Sequence, residues 1–287
     1  ACSVNAGRAQ RRDCGGRVVD RLSRRVLARC ENDDTGEQGR RPGDLDHPQH
    51  RQEFVVETRS LTHSQRNGPG VLAFDDGHAD ALTLQALLPF SEACERNKAP
   101  ILEVLREAFA DRCCVVEIGA GTGQHAVHFA RHLPHLNWQP TDRSEYLPGL
   151  AARIAAEGAP NLRPPLELDV LQPEWPPLHA DAIFSANTLH IMGWPEVEAF
   201  FHGAGRLLSG GGTLAVYGPF RYCGTFTSRS NADFDRMLRE RDAASGIRDF
   251  EAVDRLARLA GLEFQRDVTM PANNQLLVWR RVLRSGP

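Results

Sequence analysis

Hydrophobic positions along this chain change their rhythm once. Up to about residue 80 they are sparse. Only "RVVDRLSRRVLARC" carries a helical spacing, at Val18, Leu22, Val26 and Leu27. From about residue 86 the pattern alternates between short apolar runs and amphipathic segments. "CCVVEIG" (113–119) is a continuous apolar run, as expected of a strand covered on both faces. "GQHAVHFARHL" (123–133) places Ala126, Phe129, Ala130 and Leu133 on one helical side. "LNWQPTD" (136–142) reads as a second strand, and "SEYLPGLAARIAAEG" (144–158) as a helix with Pro148 in its first turn. Two more strands are expected at "PLELDV" (165–170) and "ADAIFSAN" (180–187). A helix at 195–212 with a glycine stop follows, then a fifth strand, "TLAVYGPF" (213–220). Helices at 230–241 and 249–261 precede two final strands, 262–270 and 273–281, joined by a Pro-Ala-Asn-Asn turn. The order predicts an α/β fold: a doubly wound, mostly parallel seven-stranded sheet ending in an antiparallel hairpin.

Composition separates the two regions further. Residues 1–85, rich in Arg, Asp, Gly and Gln, bury too little apolar area to offset their ordering entropy and are expected to form a disordered extension. Residues 86–287 form the structured domain. At 287 residues the chain is 41% hydrophobic and 25% charged, as in ordinary globular proteins. A net charge of −3 gives no electrostatic reason to expect nucleic acid or an anionic membrane as partner. No apolar run approaches the ~20 residues of a membrane helix, and no apolar stretch reads as a secretory signal. The seven cysteines contain no C-x-x-C pair, which argues against a disulfide framework or structural zinc. Cys113 and Cys114 are expected to be buried thiols, and a reducing cytoplasm to be the setting.

Chemistry concentrates where the first strand turns into a helix. In "VVEIGAGTGQHA" the glycines fall at Gly119, Gly121 and Gly123, so a ligand can approach main chain there. The dinucleotide spacing would need glycine at position 124, which is Gln124. The observed spacing, with Glu117 two residues ahead, is the form seen in S-adenosylmethionine sites. Asp142 ends the second strand 19 residues past Gly123, where an acid can accept ribose hydroxyls from either cofactor. Asp169 ends the expected third strand, where a carboxylate can accept from an adenine amino group. Asn187, Thr188 and His190 follow the fourth strand beside the same cleft.

With these residues the chain from about 86 to 282 resembles a class I S-adenosylmethionine-dependent methyltransferase, and more narrowly the methyltransferase-like protein twenty-six group, a former domain of unknown function. The likeness rests on "FSEACERNKAPILEVL", "VVEIGAGTGQHAVHFA", "WQPTD", "SANTLHIM", "YGPF" and the run from "SNADFD" to "SGIRDFE". It implies the Rossmann-like methyltransferase fold and S-adenosylmethionine as cofactor, without supplying an acceptor. The expected cofactor residues are Arg96 (for the carboxylate), Asn97, Glu117, Gly119, Gly121, Gly123, Asp142, Asp169 and Asn187. His190 is the general-base candidate, since imidazole titrates near neutrality. Tyr217 and Asn231 are the candidates for orienting an acceptor. Lys98, the chain's lone lysine, is expected to be a solvated neighbour. His125, His128, His132 and His135 read as a solvent-facing row rather than a metal site.

The fourth strand carries no N/D-P-P-Y/F motif, and no cysteine follows it that could attack a pyrimidine. A small-molecule acceptor, or a side chain of a small partner protein, is therefore expected. Two other readings stay open: a non-catalytic S-adenosylmethionine-binding module and a nicotinamide-dependent oxidoreductase.

Overall fold

The computed structural model describes residues 88–283, so the extension assigned to 1–85 lies outside the described residues. Ser91 caps helix α1 (Glu92–Ala108) by accepting from the Cys94 N–H. Ile101, Leu102 and Leu105 form its buried stripe. Then come β1 (Cys114–Ile118), α2 (Gln124–His132), β2 (Asn137–Asp142), α3 (Leu147–Glu157), β3 (Leu166–Glu167), β4 (Ala180–Ala186), α4 (Trp194–Leu207) and β5 (Leu208–Gly218). An insert supplies β6 (Phe220–Tyr222), β7 (Thr225–Phe226), α5 (Arg229–Arg241) and β8 (Arg248–Asp249). Helix α6 (Phe250–Leu259) and the hairpin β9 (Leu262–Met270) and β10 (Asn274–Arg281) close the domain.

The seven-stranded sheet runs β3-β2-β1-β4-β5-β10-β9, parallel from β3 to β5, with β10 antiparallel to both β5 and β9. The order reverses beside β1, and ligands of open α/β sheets bind at the carboxyl ends of strands at such a point. Alternation along β1 explains its continuous apolar run. Val115 packs with α1 and α2 on one face, while Val116 and Ile118 pack with α4 and α6 on the other. Among the described residues no helix is long and apolar enough to cross a membrane.

Several boundaries differ from those expected. The third strand has two residues, because Pro164 and Pro165 cannot donate to a ladder at this edge. The Ser209–Gly212 run is the start of β5 and not a helix stop. It carries the bulge that shifts register between Ala180–Leu208 and Ala182–Thr213, with Gly211 at φ +79°. The fifth strand ends at Gly218, and Phe220 instead opens a second sheet, β7-β6-β8, that the hydrophobic pattern did not show. Cys113 is exposed and Cys114 half-buried, because they sit on the sheet's amino-terminal rim. There the Asp181 carboxylate accepts from both backbone N–H groups, at 2.8 Å each.

Candidate cofactor elbow and acceptor cleft

The three elbow glycines all have left-handed backbone, but for different reasons. A Cβ on Gly119 would lie 2.7 Å from Thr188 Cγ2, and one on Gly123 would lie 2.7 Å from Leu150 Cδ1. Those two glycines let neighbouring elements close onto the turn. Gly121, at φ +54°, would meet nothing within 4 Å, so its face of the turn is open. Beside it, Asp142 Oδ2 accepts from the Gly121 N–H at 2.6 Å and Oδ1 from the Arg143 N–H at 2.8 Å. Each oxygen keeps a second lone pair. Burial raises the Asp142 carboxyl, against the pull of these two donors.

Glu117 is buried and does not bond the turn. Its Oε2 accepts from the Trp138 indole at 2.6 Å, and burial pushes its carboxyl up to about 8, so the group is mostly protonated at neutral pH.

Helix α1 is fastened to the elbow by Gln124. Its Oε1 accepts from the Ser91 N–H and the Thr122 hydroxyl, and its Nε2 donates to Glu95 and the Ser91 carbonyl. The position that departs from dinucleotide spacing therefore has a structural task. The Cys94 thiol lies by Ser91 and Thr122, and burial pushes it up. Asn97 is buried, with Oδ1 2.6 Å from His125 Nε2 and its amide against the Tyr217 hydroxyl. Asn274 meets the same hydroxyl, and burial pushes Tyr217 up to about 12, so it stays protonated. Arg96, 56% exposed, reaches Glu92 at 3.9 Å and sits at the rim. Lys98 pairs with Glu95 at 2.5 Å.

His125 corrects the expected solvent-facing row. It is buried against Phe129 and Phe184, and burial pushes it down to about 3. His128 is half-buried, whereas His132 and His135 are exposed. The nine-residue helix turns its first turn, not only its apolar stripe, toward α1.

After β4 the chain turns at Asn187, held at φ +58° with its N–H on the Tyr217 carbonyl at 2.9 Å. Non-glycine residues in this region carry strain and cluster at functional turns. Ser185 and Thr188 exchange a 2.7 Å hydroxyl bond behind Gly119. His190 is 5% exposed, edge-on to Phe234, and pushed down to about 4 by burial and the Arg248 charge. Arg248 latches the loop, donating to the carbonyls of Leu189, Met192 and Ala244.

Asp169 lies past β3 in a turn, half-buried, accepting from the Leu171 N–H at 2.9 Å. Asn231 is buried, but its amide donates to Thr227 Oγ1 and the Asn273 carbonyl, which pins the β9–β10 turn. Around the carboxyl edge the structure thus gathers the glycines, Glu117, Asp142, Asn187 and His190. Asn97 and Tyr217 form a buried wall, with Arg96 outside it and Asn231 among the supports. Gln124 and Arg248 were not anticipated. The broken glycine spacing marked the first, whereas nothing in a chain with so many arginines marked the second.

A family model described as "Protein of unknown function (DUF938)" matches residues 88–281, nearly all of the described domain. The chain belongs to the DUF938 family. Solved structures with a similar fold include an O-methyltransferase family protein from Burkholderia thailandensis, 20% identical at TM-score 0.60 over 72% of this chain and 62% of that one. The mitomycin 7-O-methyltransferase MmcR is 17% identical at TM-score 0.59, over 67% and 55%. Human N-acetylserotonin methyltransferase, in complex with S-adenosylmethionine, is 16% identical at TM-score 0.52, over 67% and 58%. The DUF938 chain spans less than two thirds of each of these proteins. At such identities the likeness establishes the Rossmann-like fold.

Proposed function

We propose that this DUF938 chain is an S-adenosylmethionine-dependent methyltransferase acting on a small-molecule acceptor, in line with its resemblance to the methyltransferase-like protein twenty-six group. The observation that carries this reading is the open face of Gly121 beside the Asp142 carboxylate, at the switch point of the sheet. A nucleoside fits there, with its ribose hydroxyls on the free lone pairs of Asp142. Asp169, in the turn after β3, suits the base, and Arg96 at the rim suits the carboxylate of an amino-acid tail. When bound, S-adenosylmethionine supplies an electrophilic methyl group on a sulfonium.

The residues of the chain then have positioning tasks. His190 is neutral, so one ring nitrogen can accept a hydrogen bond from an acceptor's nucleophilic group. The cation behind it opposes full protonation, which makes His190 an orienting acceptor rather than a strong base. Tyr217, held by Asn97 and Asn274, keeps the opposite wall fixed. Orientation and exclusion of water supply much of the acceleration in such a transfer.

Calorimetric titration of the full chain with S-adenosylmethionine, S-adenosylhomocysteine and NADH tests this reading. Micromolar binding of the first two, lost in Asp142→Ala, is expected. Binding of NADH alone would overturn the cofactor assignment, and cofactor binding without turnover on any acceptor would favour a sensing module.

A further inference from the structure

At the opposite end of β1 from the elbow lies a cavity of about 210 Å³. Its base is the sheet itself. Cys114 and Val116 face it from β1, and their register partners Asn137 and Gln139 face it from β2. Two features of the chain leave this stretch of sheet without a helix over it. β3 pairs with β2 only at Thr141 and Asp142, and residues 168–179 join β3 to β4 without a helix or strand. Trp175, midway along that connection, packs over Gly203 of α4, and Leu178 and His179 then return along the cavity wall. Arg163 closes the β2 side. Its N–H donates to the Trp138 carbonyl at 2.9 Å and its guanidinium to Asn137 Oδ1 at 3.2 Å, which fixes it along β2.

The polar groups around the cavity are unequally committed. The Asp181 carboxylate is taken up by the N–H groups of Cys113 and Cys114. The Gln139 amide donates to the carbonyls of Pro140 and Pro164. Arg163 spends one N–H on Asn137 and keeps the rest of its fork, and the exposed His179 adds a ring donor. The Arg163 charge also acts on the Cys114 thiol, where it opposes the upward push of burial and Asp181. The cavity therefore sets a planar cation and further donors beside an apolar surface made by Val116 and Leu178.

We propose that this cavity is a second ligand site that takes a small aromatic carboxylate, its carboxylate on Arg163 and His179 and its ring against Val116 and Leu178. A guanidinium fork matches a carboxylate bidentately. A cavity of roughly 150 Å³ accommodates benzene, so the larger volume here has room for a ring bearing one carboxylate. The five residues of β1 separate this site from the elbow by roughly 15 Å, and it does not depend on the methyltransferase reading.

The test uses the full chain with benzoate as probe, and with benzamide, inorganic phosphate and sodium chloride as comparisons at matched ionic strength. Saturation-transfer NMR reports contact of the benzoate ring, and iodoacetamide labelling resolved by peptide mass reports the thiols. Cys114 lines the cavity, whereas the exposed Cys113 does not and serves as the internal standard. Benzoate is expected to bind with Kd on the order of 1 mM, the range open to so small a ligand. At about ten times Kd, labelling of Cys114 should slow about 10-fold while Cys113 is unchanged. Arg163→Gln, at an exposed position, should raise the benzoate Kd about 10-fold or more, as loss of a charge-assisted bond implies. S-adenosylhomocysteine should neither displace benzoate nor restore labelling of Cys114. Equal effects of benzamide or of phosphate overturn the proposal, the first by removing the charge requirement and the second by removing the ring. Equal slowing of both cysteines, or Arg163→Gln matching wild type, also overturns it. If Cys114 proves too slow to label, the NMR titration decides, and no saturation transfer to benzoate at about 10 mM refutes the site.

Discussion

Replacing Gly121 by alanine separates what the elbow needs for folding from what it needs for binding. The added methyl meets no atom within 4 Å, so the folded protein bears only the strain of alanine at φ +54°. That strain is worth about 1–2 kcal/mol. For a domain of this size each 1 kcal/mol lowers Tm by about 2–4 °C, so a drop of roughly 2–8 °C is expected. The same methyl occupies the space assigned to the ligand, so S-adenosylhomocysteine should bind at least about 30-fold more weakly, roughly 2 kcal/mol. Gly119→Ala supplies the contrast. Its methyl would lie 2.7 Å from Thr188 Cγ2 and 3.1 Å from Oγ1 at φ +75°, which adds overpacking of about 1–3 kcal/mol to the strain. It should therefore lose more thermal stability, and Thr188→Ala in the same chain should restore part of it. Differential scanning fluorimetry and calorimetric titration of the full-length variants give both quantities. If Gly121→Ala binds within about threefold of wild type while Tm falls by only a few degrees, the open face is not the ligand site and the reasoning fails.

The remaining expectations concern charge and support. Burial pushes the Glu117 carboxyl up to about 8 from its ordinary 4.5, so the folded state holds the extra proton between those pH values and wild type loses stability as pH rises across them. Glu117→Gln, which keeps an acceptor for Trp138, should become progressively more stable than wild type from pH 5 to pH 8; a difference flat in pH, measured by urea unfolding, would refute this. Arg248→Met leaves three carbonyls without their donor and should cost about 3 kcal/mol or more, read from the urea midpoint. Gln124→Gly creates the dinucleotide spacing but removes the bonds to Ser91 and Glu95; it should raise amide exchange at the start of α1 without conferring NADH binding, and acquired NADH affinity would contradict this account.

Elements buried on both faces were the most legible in sequence. The run at 113–119, the elbow glycines and Asp142 all announce themselves, because a central parallel strand, a left-handed turn and an acid at a strand end each demand particular residue types. Legibility failed where local chemistry had two uses. Glycines at 210–212 serve a bulge as readily as a helix stop. His125 has the same helical spacing as the exposed His132, and only its tertiary contacts with Asn97 and Phe184 show that it faces inward. Asn231 has the chemistry to orient an acceptor, yet its amide is spent on a turn 42 residues away. The sheet β7-β6-β8 has strands of two or three residues, too short to carry a period.

One consequence of Gln124 reaches beyond this protein's own ligand. Cofactor choice in glycine-elbow folds is often treated as a local design variable, editable by moving one glycine. Here the residue to be edited is also the rivet between the elbow and the preceding helix, with four hydrogen bonds spread over Ser91, Thr122 and Glu95. Grafting a different phosphate-binding loop onto this scaffold would therefore require rebuilding the first turn of α1 along with the elbow.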